Sequence, residues 1–107
     1  MADIKIDEIL EKIKYLVCCK KNYELSDHAV EYIKNGNSSF EGIKNCIREA
    51  DTVHEIKKDP YKDSVNDRIY TIKGKNHLGI NFYTTGKIIK NNDEQKIYFI
   101  ITAHTTE

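Results

Sequence analysis

The chain has 107 residues, of which 39% are hydrophobic and 32% are charged, and its 17 Lys and Arg residues balance 17 Asp and Glu residues. This length fits one domain spanning 1–107, because cores are usually divided only in much longer chains, and the apolar share is too high for a disordered segment. The balanced charge excludes a global positive field that would hold the protein on nucleic acid, so any such binding needs a local patch.

The N-terminal segment is expected to form an amphipathic helix. Apolar residues recur at positions 6, 9, 10, 13, 16 and 17, which is the spacing of one helix face and predicts a helix running to about Lys20. Charged residues interrupt the apolar ones between Ile4 and Val17, so this segment predicts neither a signal peptide nor a membrane span. The simplest location for the protein is therefore the cytoplasm.

Two further helices are predicted before residue 51. Ser26 is a good N-cap, and the second helix is predicted over about Asp27 to Asn35. Ser38 and Glu41 have the spacing of a capping box, and apolar residues follow at intervals of three and four. The third helix is therefore expected to run to roughly Ala50.

The three cysteines predict neither a disulfide framework nor a metal site. Cys18, Cys19 and Cys46 are odd in number and include no CxxC pair, and the four histidines have no Cys or carboxylate at ligand spacing. Adjacent Cys18 and Cys19 could in principle form a redox pair, although neighbours on a helix point about 100° apart. Reduced, buried side chains are the commoner role of free cysteine, and we expect that role here.

Beyond residue 51 the apolar period changes from helical to alternating, which predicts strands. In chain order these are Thr52–Ile56, Arg68–Ile72, Leu78–Thr84 and Lys96–Thr105, with Lys87–Lys90 as a short strand extension. Helices followed by strands, without alternation, indicate an α+β fold. We expect three N-terminal helices packed on one face of a four-stranded, mainly antiparallel sheet, which leaves the other face open.

Side-chain alternation assigns residues to the two faces of this sheet. The core-facing set is predicted to be Leu78, Ile80, Phe82, Ile97, Phe99, Ile101 and Ala103. The open face is then predicted to carry Asn81, Tyr83, Tyr98, Ile100, Thr102 and His104, together with Arg68 and Tyr70 if Ile69 points inward. A guanidinium that forks onto phosphate oxygens and an imidazole that exchanges protons near neutral pH form a phosphate-handling set. The alternative is that these polar residues are simply the solvated side of the sheet.

Several short motifs together resemble a known family. The helix opening Leu25-Ser26-Asp27-His28-Ala29, the strand Arg68-Ile69-Tyr70, the hairpin and the final Ile101-Thr102-Ala103-His104 resemble the domain of unknown function 4258 family. More distantly they resemble the BrnT and RelE-like ribonuclease toxins. The resemblance covers about Tyr23 to Thr105, so 1–22 would be an added helix and 23–107 a toxin-type core. It implies a small fold with a curved sheet, similar to RelE and barnase.

The resemblance also implies a function. Toxins of this group cut RNA without a metal or other cofactor, a basic group assisting the ribose 2′-hydroxyl and a cation stabilising the phosphorane. Carried over to this chain, the catalytic set is His28, Arg68, Thr102 and His104, and the binding set is Tyr70, Asn81 and Tyr83. The implied partners are RNA, free or on the ribosome, and an antitoxin protein. For His28 the alternative role is a structural one at the helix start, beside Asp27.

The competing interpretation is a non-catalytic interaction module. Its open sheet face would bind an antitoxin or a second copy of the chain, because exposed Tyr70, Tyr83 and Tyr98 are of the type that interfaces concentrate. The position of Arg68 distinguishes the two interpretations. Catalysis requires its guanidinium within roughly 8 Å of the His104 ring, close enough for one phosphate to bridge them. An Arg68 on the opposite side of the sheet would favour the module.

Overall fold

The computed structural model describes residues 6–61 and 63–105, with side chains from Glu8 onward. The helices are α1 (Ile6–Lys14), which continues as a π-helical stretch (Tyr15–Cys19), α2 (Asp27–Lys34) and α3 (Phe40–Glu49). The strands are β1 (Tyr23–Leu25), β2 (Glu55–Lys58), β3 (Arg68–Lys75), β4 (Asn81–Lys90) and β5 (Lys96–Thr105). The side chain of Ile6, the first apolar position of the predicted helix, and Ile4, the first residue of the apolar segment, lie outside the described part of the chain.

The five strands form one mixed sheet in the order β1-β5-β4-β3-β2. β1 runs parallel to β5, and the other neighbouring strands are antiparallel. The predicted α+β class is confirmed, but the prediction of four strands is wrong. A segment of three residues is too short to show a period of two, so the sequence pattern did not distinguish β1 from a loop.

Both predicted helix starts carry a serine cap, although one is displaced. The Ser26 hydroxyl accepts a hydrogen bond from the Ala29 N–H at 3.0 Å, as predicted. At α3 the cap is Ser39, which accepts from the Gly42 N–H at 3.0 Å, so the assignment to Ser38 is wrong by one position. Adjacent serines offer the same hydroxyl, and only the backbone conformation decides between them.

One face of the sheet packs under α3 and the π-helical stretch. Fully buried side chains of this core include Ile13, Val17, Ile43, Ile47, Tyr70, Ile72, Tyr98 and Ile100. Cys46 is buried among them, and burial raises the pKa of its thiol to about 12. Cys18 is half-buried, with a pKa that burial also raises, whereas Cys19 is exposed. The expectation of buried cysteines is therefore confirmed for Cys46 and wrong for Cys19.

A bulge in β5 explains why the predicted faces are right in one half of the strand and wrong in the other. Thr102 pairs with Thr85 and Ile100 pairs with Gly86, which leaves Ile101 without a partner in β4. An extra residue reverses the alternation. Ala103 faces the core as predicted, but before the bulge Tyr98 and Ile100 face it, both with no exposed surface, in place of Ile97 and Phe99. Tyr98 is thus removed from the open face.

The β3–β4 hairpin differs from the prediction in its turn and in one face. The Asn76 side chain accepts hydrogen bonds from the backbone N–H groups of Leu78 and Ile80, at 2.9 and 3.0 Å. Those two residues therefore belong to the turn and are 70% and 46% exposed, so their predicted core positions are wrong. Phe82 faces the core as predicted.

The face opposite α3, here called the second face, is partly covered by the segment between β2 and β3. Lys87 of β4 lies on this face but is buried, and its ammonium contacts Asp59 at 3.4 Å and Asp63. Burial favours the neutral forms of Asp59 and Lys87, but the hydrogen bonds made by their charged forms outweigh this effect. The pKa of Asp59 is lowered, chiefly by the Tyr61 N–H, and the pKa of Lys87 is raised by Asp63 and Asp59.

Gly86 is expected to be the least replaceable glycine of the sheet. A Cβ atom at this position would lie 2.5 Å from the Tyr98 ring and 2.8 Å from the Phe99 carbonyl oxygen. We expect Gly86→Ala to lower the free energy of unfolding by about 1–3 kcal/mol, the usual cost of overpacking. Gly74→Ala in β3 is the matched control, since its Cβ would make ordinary contacts of 3.4 Å with Cys46. Equal stability of the two variants in denaturant unfolding would contradict the packing described.

Candidate functional site

Four ring side chains meet beside the C-terminal half of β5. The Tyr32 ring stacks on the His104 ring at 4.3 Å between centroids, with planes 28° apart. Tyr83 meets the same imidazole edge-on at 4.3 Å, and His28 meets Tyr32 edge-on at 5.0 Å. We call His28, Tyr32, Tyr83 and His104 the imidazole–tyrosine cluster. It brings His28 and His104 into contact with the same tyrosine ring.

The cluster is positioned by the attachment of α2 to β5. The Ser26 N–H donates to the Ile100 carbonyl at 2.9 Å, and the Ser26 hydroxyl donates to the Ile101 carbonyl. Past the other end of the helix, the Thr105 N–H donates to the Asn37 carbonyl at 3.0 Å. His28 and Tyr32 are four residues apart and so share one face of the fixed helix.

The His104 imidazole is held in one tautomer. Its Nδ1 lies 2.8 Å from the Thr105 carbonyl oxygen, which can only accept, so Nδ1 carries the hydrogen in the neutral ring. Nε2 then presents a lone pair, and within the described residues it has no hydrogen-bond partner. An oriented, half-buried imidazole with a free Nε2 can take a proton from a bound substrate.

Threonine hydroxyls adjoin the cluster on the second face. Thr102 pairs with Thr85, whose hydroxyl lies 3.3 Å from that of Thr71. The Thr102 hydroxyl oxygen is buried and has no hydrogen-bond partner among the described residues. Thr102 lies on the face that the sequence predicts for it, two residues before His104. Thr106, a further threonine of the same polar stretch of sequence, lies outside the described residues.

Asn81 is on the second face as predicted, but its side chain is engaged. The side-chain amide oxygen of Asn81 (Oδ1) accepts a hydrogen bond from the Lys75 ammonium at 2.9 Å, and both residues are exposed. Tyr83 also lies on the predicted face, where it contacts His104. Of the three predicted binding residues, these two are therefore on the correct face.

Arg68 and Tyr70 lie on the wrong face for the predicted site. Tyr70 has no exposed surface and pairs with Gly86 in the core, and burial raises the pKa of its hydroxyl. Arg68 shares its face, and its guanidinium donates to the Asp67 carbonyl at 3.1 Å. The β3 residue that lies in register with His104 across β4 is five positions after Arg68, which is roughly 16 Å along the strand. The predicted convergence of Arg68 on His104 is wrong.

Lys73 is the cation that the register brings to the cluster instead. Lys73 pairs with Tyr83, which pairs with His104, so the three lie in one row on the second face. Its side chain is exposed and forms no ion pair within the part of the chain described. Sequence reasoning missed both Lys73 and Tyr32. The i, i+4 spacing of Tyr32 from His28 was available in the sequence, whereas Lys73 depends on strand register.

The described residues contain neither a group of metal ligands nor a membrane-spanning helix. Across 6–61 and 63–105 no three His, Cys, Asp or Glu side chains are grouped so that they could hold a metal ion. None of the helices described has the length and apolar character needed to cross a membrane.

The comparisons with known proteins identify no relative. No protein-family profile matches the chain, and no curated protein or solved structure matches it significantly.

Proposed function

We propose that the chain is a metal-independent endoribonuclease of toxin type that acts at the imidazole–tyrosine cluster. The observation that carries the proposal is the oriented His104 imidazole, which has a free Nε2 and shares the Tyr32 ring with a second imidazole. Two imidazoles separated by one side chain can contact the same phosphodiester. That arrangement supplies a base and an acid for one in-line displacement.

In the proposed reaction His104 Nε2 removes the proton of a ribose 2′-hydroxyl, whose oxygen attacks the adjacent phosphorus. The bond from phosphorus to the 5′-oxygen breaks, and the His28 imidazolium protonates that oxygen. The products are a 2′,3′-cyclic phosphate and a 5′-hydroxyl, with no net change in protons. Lys73 stabilises the charge that develops on the phosphorane oxygens. The ring of Tyr83 lines the substrate path, whereas the Thr102 hydroxyl oxygen is buried and makes no direct contact with the substrate.

The position of Arg68 counts against the mechanism as the sequence suggested it, and in favour of the interaction module. The module loses support in turn, because two of its three tyrosines, Tyr70 and Tyr98, have no exposed surface. His104 is also packed between two tyrosines and does not belong to a frayed end. The balance of these observations favours the endoribonuclease, with Lys73 in the role first assigned to Arg68.

We also propose a fold relationship and binding partners for this chain. The helices and mixed sheet would be a variant of the curved RelE and barnase architecture, in keeping with the resemblance to the domain of unknown function 4258 family. RNA, free or ribosome-bound, would be the substrate in the cytoplasm, and an antitoxin protein would restrain the activity. The second candidate, a module that binds an antitoxin or a second copy of itself, is favoured by the displaced guanidinium and by the balanced net charge.

Expression separates the two candidates. We expect induction of the wild-type chain to arrest growth, and purified protein to degrade single-stranded RNA in EDTA while leaving DNA of the same sequence intact, since DNA lacks the 2′-hydroxyl. Electrophoresis of the two substrates measures this. Harmless expression together with intact RNA would favour the interaction module.

A further inference from the structure

The outer edge of β3 is only partly occupied. β2 pairs with Arg68–Thr71, and beyond Thr71 the described residues place no strand beside β3. In a strand, the backbone groups of alternate residues point to the same edge. Thr71, Lys73 and Lys75 therefore direct their N–H and carbonyl groups outward, away from β4.

Lys73 is the outward-facing residue of this edge at which neither backbone group is used within the described residues. The Thr71 carbonyl accepts from the His54 N–H at 2.8 Å, and the Lys75 carbonyl accepts from the Asn45 side chain at 3.0 Å. Between them, the outward N–H and carbonyl of Lys73 have no partner within the described residues. A donor and an acceptor on one residue are matched by the carbonyl and N–H of an extended backbone.

The surroundings of this edge define what such a backbone would carry. A cleft of about 650 Å³ opens beside it, and its wall at the end of α3 includes Asn45, Glu49 and Asp51. On the second face the side chains next to an added strand are Lys73 and Lys75. Directly opposed charges stabilise strand pairs, and like charges destabilise them. On the second face, where it lies beside Lys73 and Lys75, the added strand should therefore carry acidic side chains. On its other face, toward the acidic wall of the cleft, it should carry small hydroxyl side chains.

We propose that this edge binds an extended, acidic peptide segment of another protein, which adds a short strand to β3. Every second side chain of the segment is acidic and faces Lys73 and Lys75. The intervening side chains are small and enter the cleft. The site shares Lys73 with the proposed ribonuclease mechanism, but it depends on the backbone of that residue and not on the imidazoles, so its existence does not require ribonuclease activity.

The probe is a blocked heptapeptide in which threonine and glutamate alternate, added to the full chain labelled for NMR. We expect saturable shifts of the amide signals of β3 and at least tenfold slower hydrogen exchange of the Lys73 amide. A peptide with lysine in place of glutamate should bind at least tenfold more weakly. A peptide N-methylated along one edge should not bind, because its ladder donors are blocked.

Lys73→Pro tests the same edge from the protein side. It removes the outward N–H, which no residue of the described chain uses, and proline is tolerated on the solvent side of an edge strand. We expect this variant to lose peptide binding and Lys75→Pro to weaken it. The proposal is overturned if the N-methylated peptide binds as well as the parent, if the charge-reversed peptide binds equally, or if no peptide binds at millimolar concentration. Concentration-dependent protection of Lys73 without peptide would assign the edge to a second copy and overturn it too.

Discussion

Replacing His104 by alanine is expected to lower RNA cleavage by about a hundredfold or more, the usual contribution of a positioned acid or base. The effect follows from the free Nε2, because the variant has no group at that point to take the 2′-hydroxyl proton. Steady-state rates on one oligoribonucleotide measure it. His28→Ala should show a loss of the same order if it is the acid.

His54→Ala is the matched control for His104→Ala, since His54 is exposed and only its backbone N–H is engaged, with Thr71. It should cleave RNA at the wild-type rate. Added imidazole should restore part of the activity of His104→Ala by entering the space between Tyr32 and Tyr83. Wild-type cleavage by His104→Ala, or an equal loss in His54→Ala, would remove His104 from the mechanism.

Replacing Lys87 by alanine is expected to cost about 3–5 kcal/mol of unfolding free energy, because it leaves a buried carboxylate without its cation. Asp59 has no exposed surface, and Lys87 is one of the groups that hold its charge. Lys90→Ala in the same strand is the control. Its ion pair with Glu94 at 3.6 Å is solvent-exposed, so its loss should cost under about 0.5 kcal/mol in the same denaturant titration.

The pH dependence of stability tests the same buried charges. The pKa of Asp59 is lowered by folding, so its contribution is present above about pH 4 and is lost as pH falls through the lower folded value. The pKa of Lys87 is raised, so its contribution is present below about pH 10 and is lost as pH rises through the higher folded value. Lys87→Met should lack the alkaline loss. An alkaline loss of equal size in that variant would contradict the assignment.

Local signals in the sequence predicted the fold class and most of its elements. The cap of α2 at Ser26 and the full extent of β5 were predictable, because a cap depends on one side chain and a strand on its own alternation. The edge strand β1 was not, since three residues contain too little pattern. The exposure of Leu78 was also missed, because the Asn76 side chain that shapes the turn competes with strand alternation.

The candidate site was predicted in part, for a reason that lies in the bulge. The predicted assignment of β5 side chains to the two faces of the sheet is correct after Ile101 and reversed before it. His104 is therefore on the expected face and Tyr98 is not. Arg68 was assigned to the open face by assuming that Ile69 points inward, and the buried Tyr70 shows the opposite alternation. Register between strands decides which cation meets an imidazole, and a single sequence does not contain it.

The end groups of cleaved RNA test the central claim most directly. Incubation of the wild-type protein with a single-stranded oligoribonucleotide in EDTA, followed by mass spectrometry, identifies both new ends. Acid–base catalysis by His104 and His28 predicts a 2′,3′-cyclic phosphate on one fragment and a 5′-hydroxyl on the other. Intact RNA, or fragments that carry a 5′-phosphate, would contradict it.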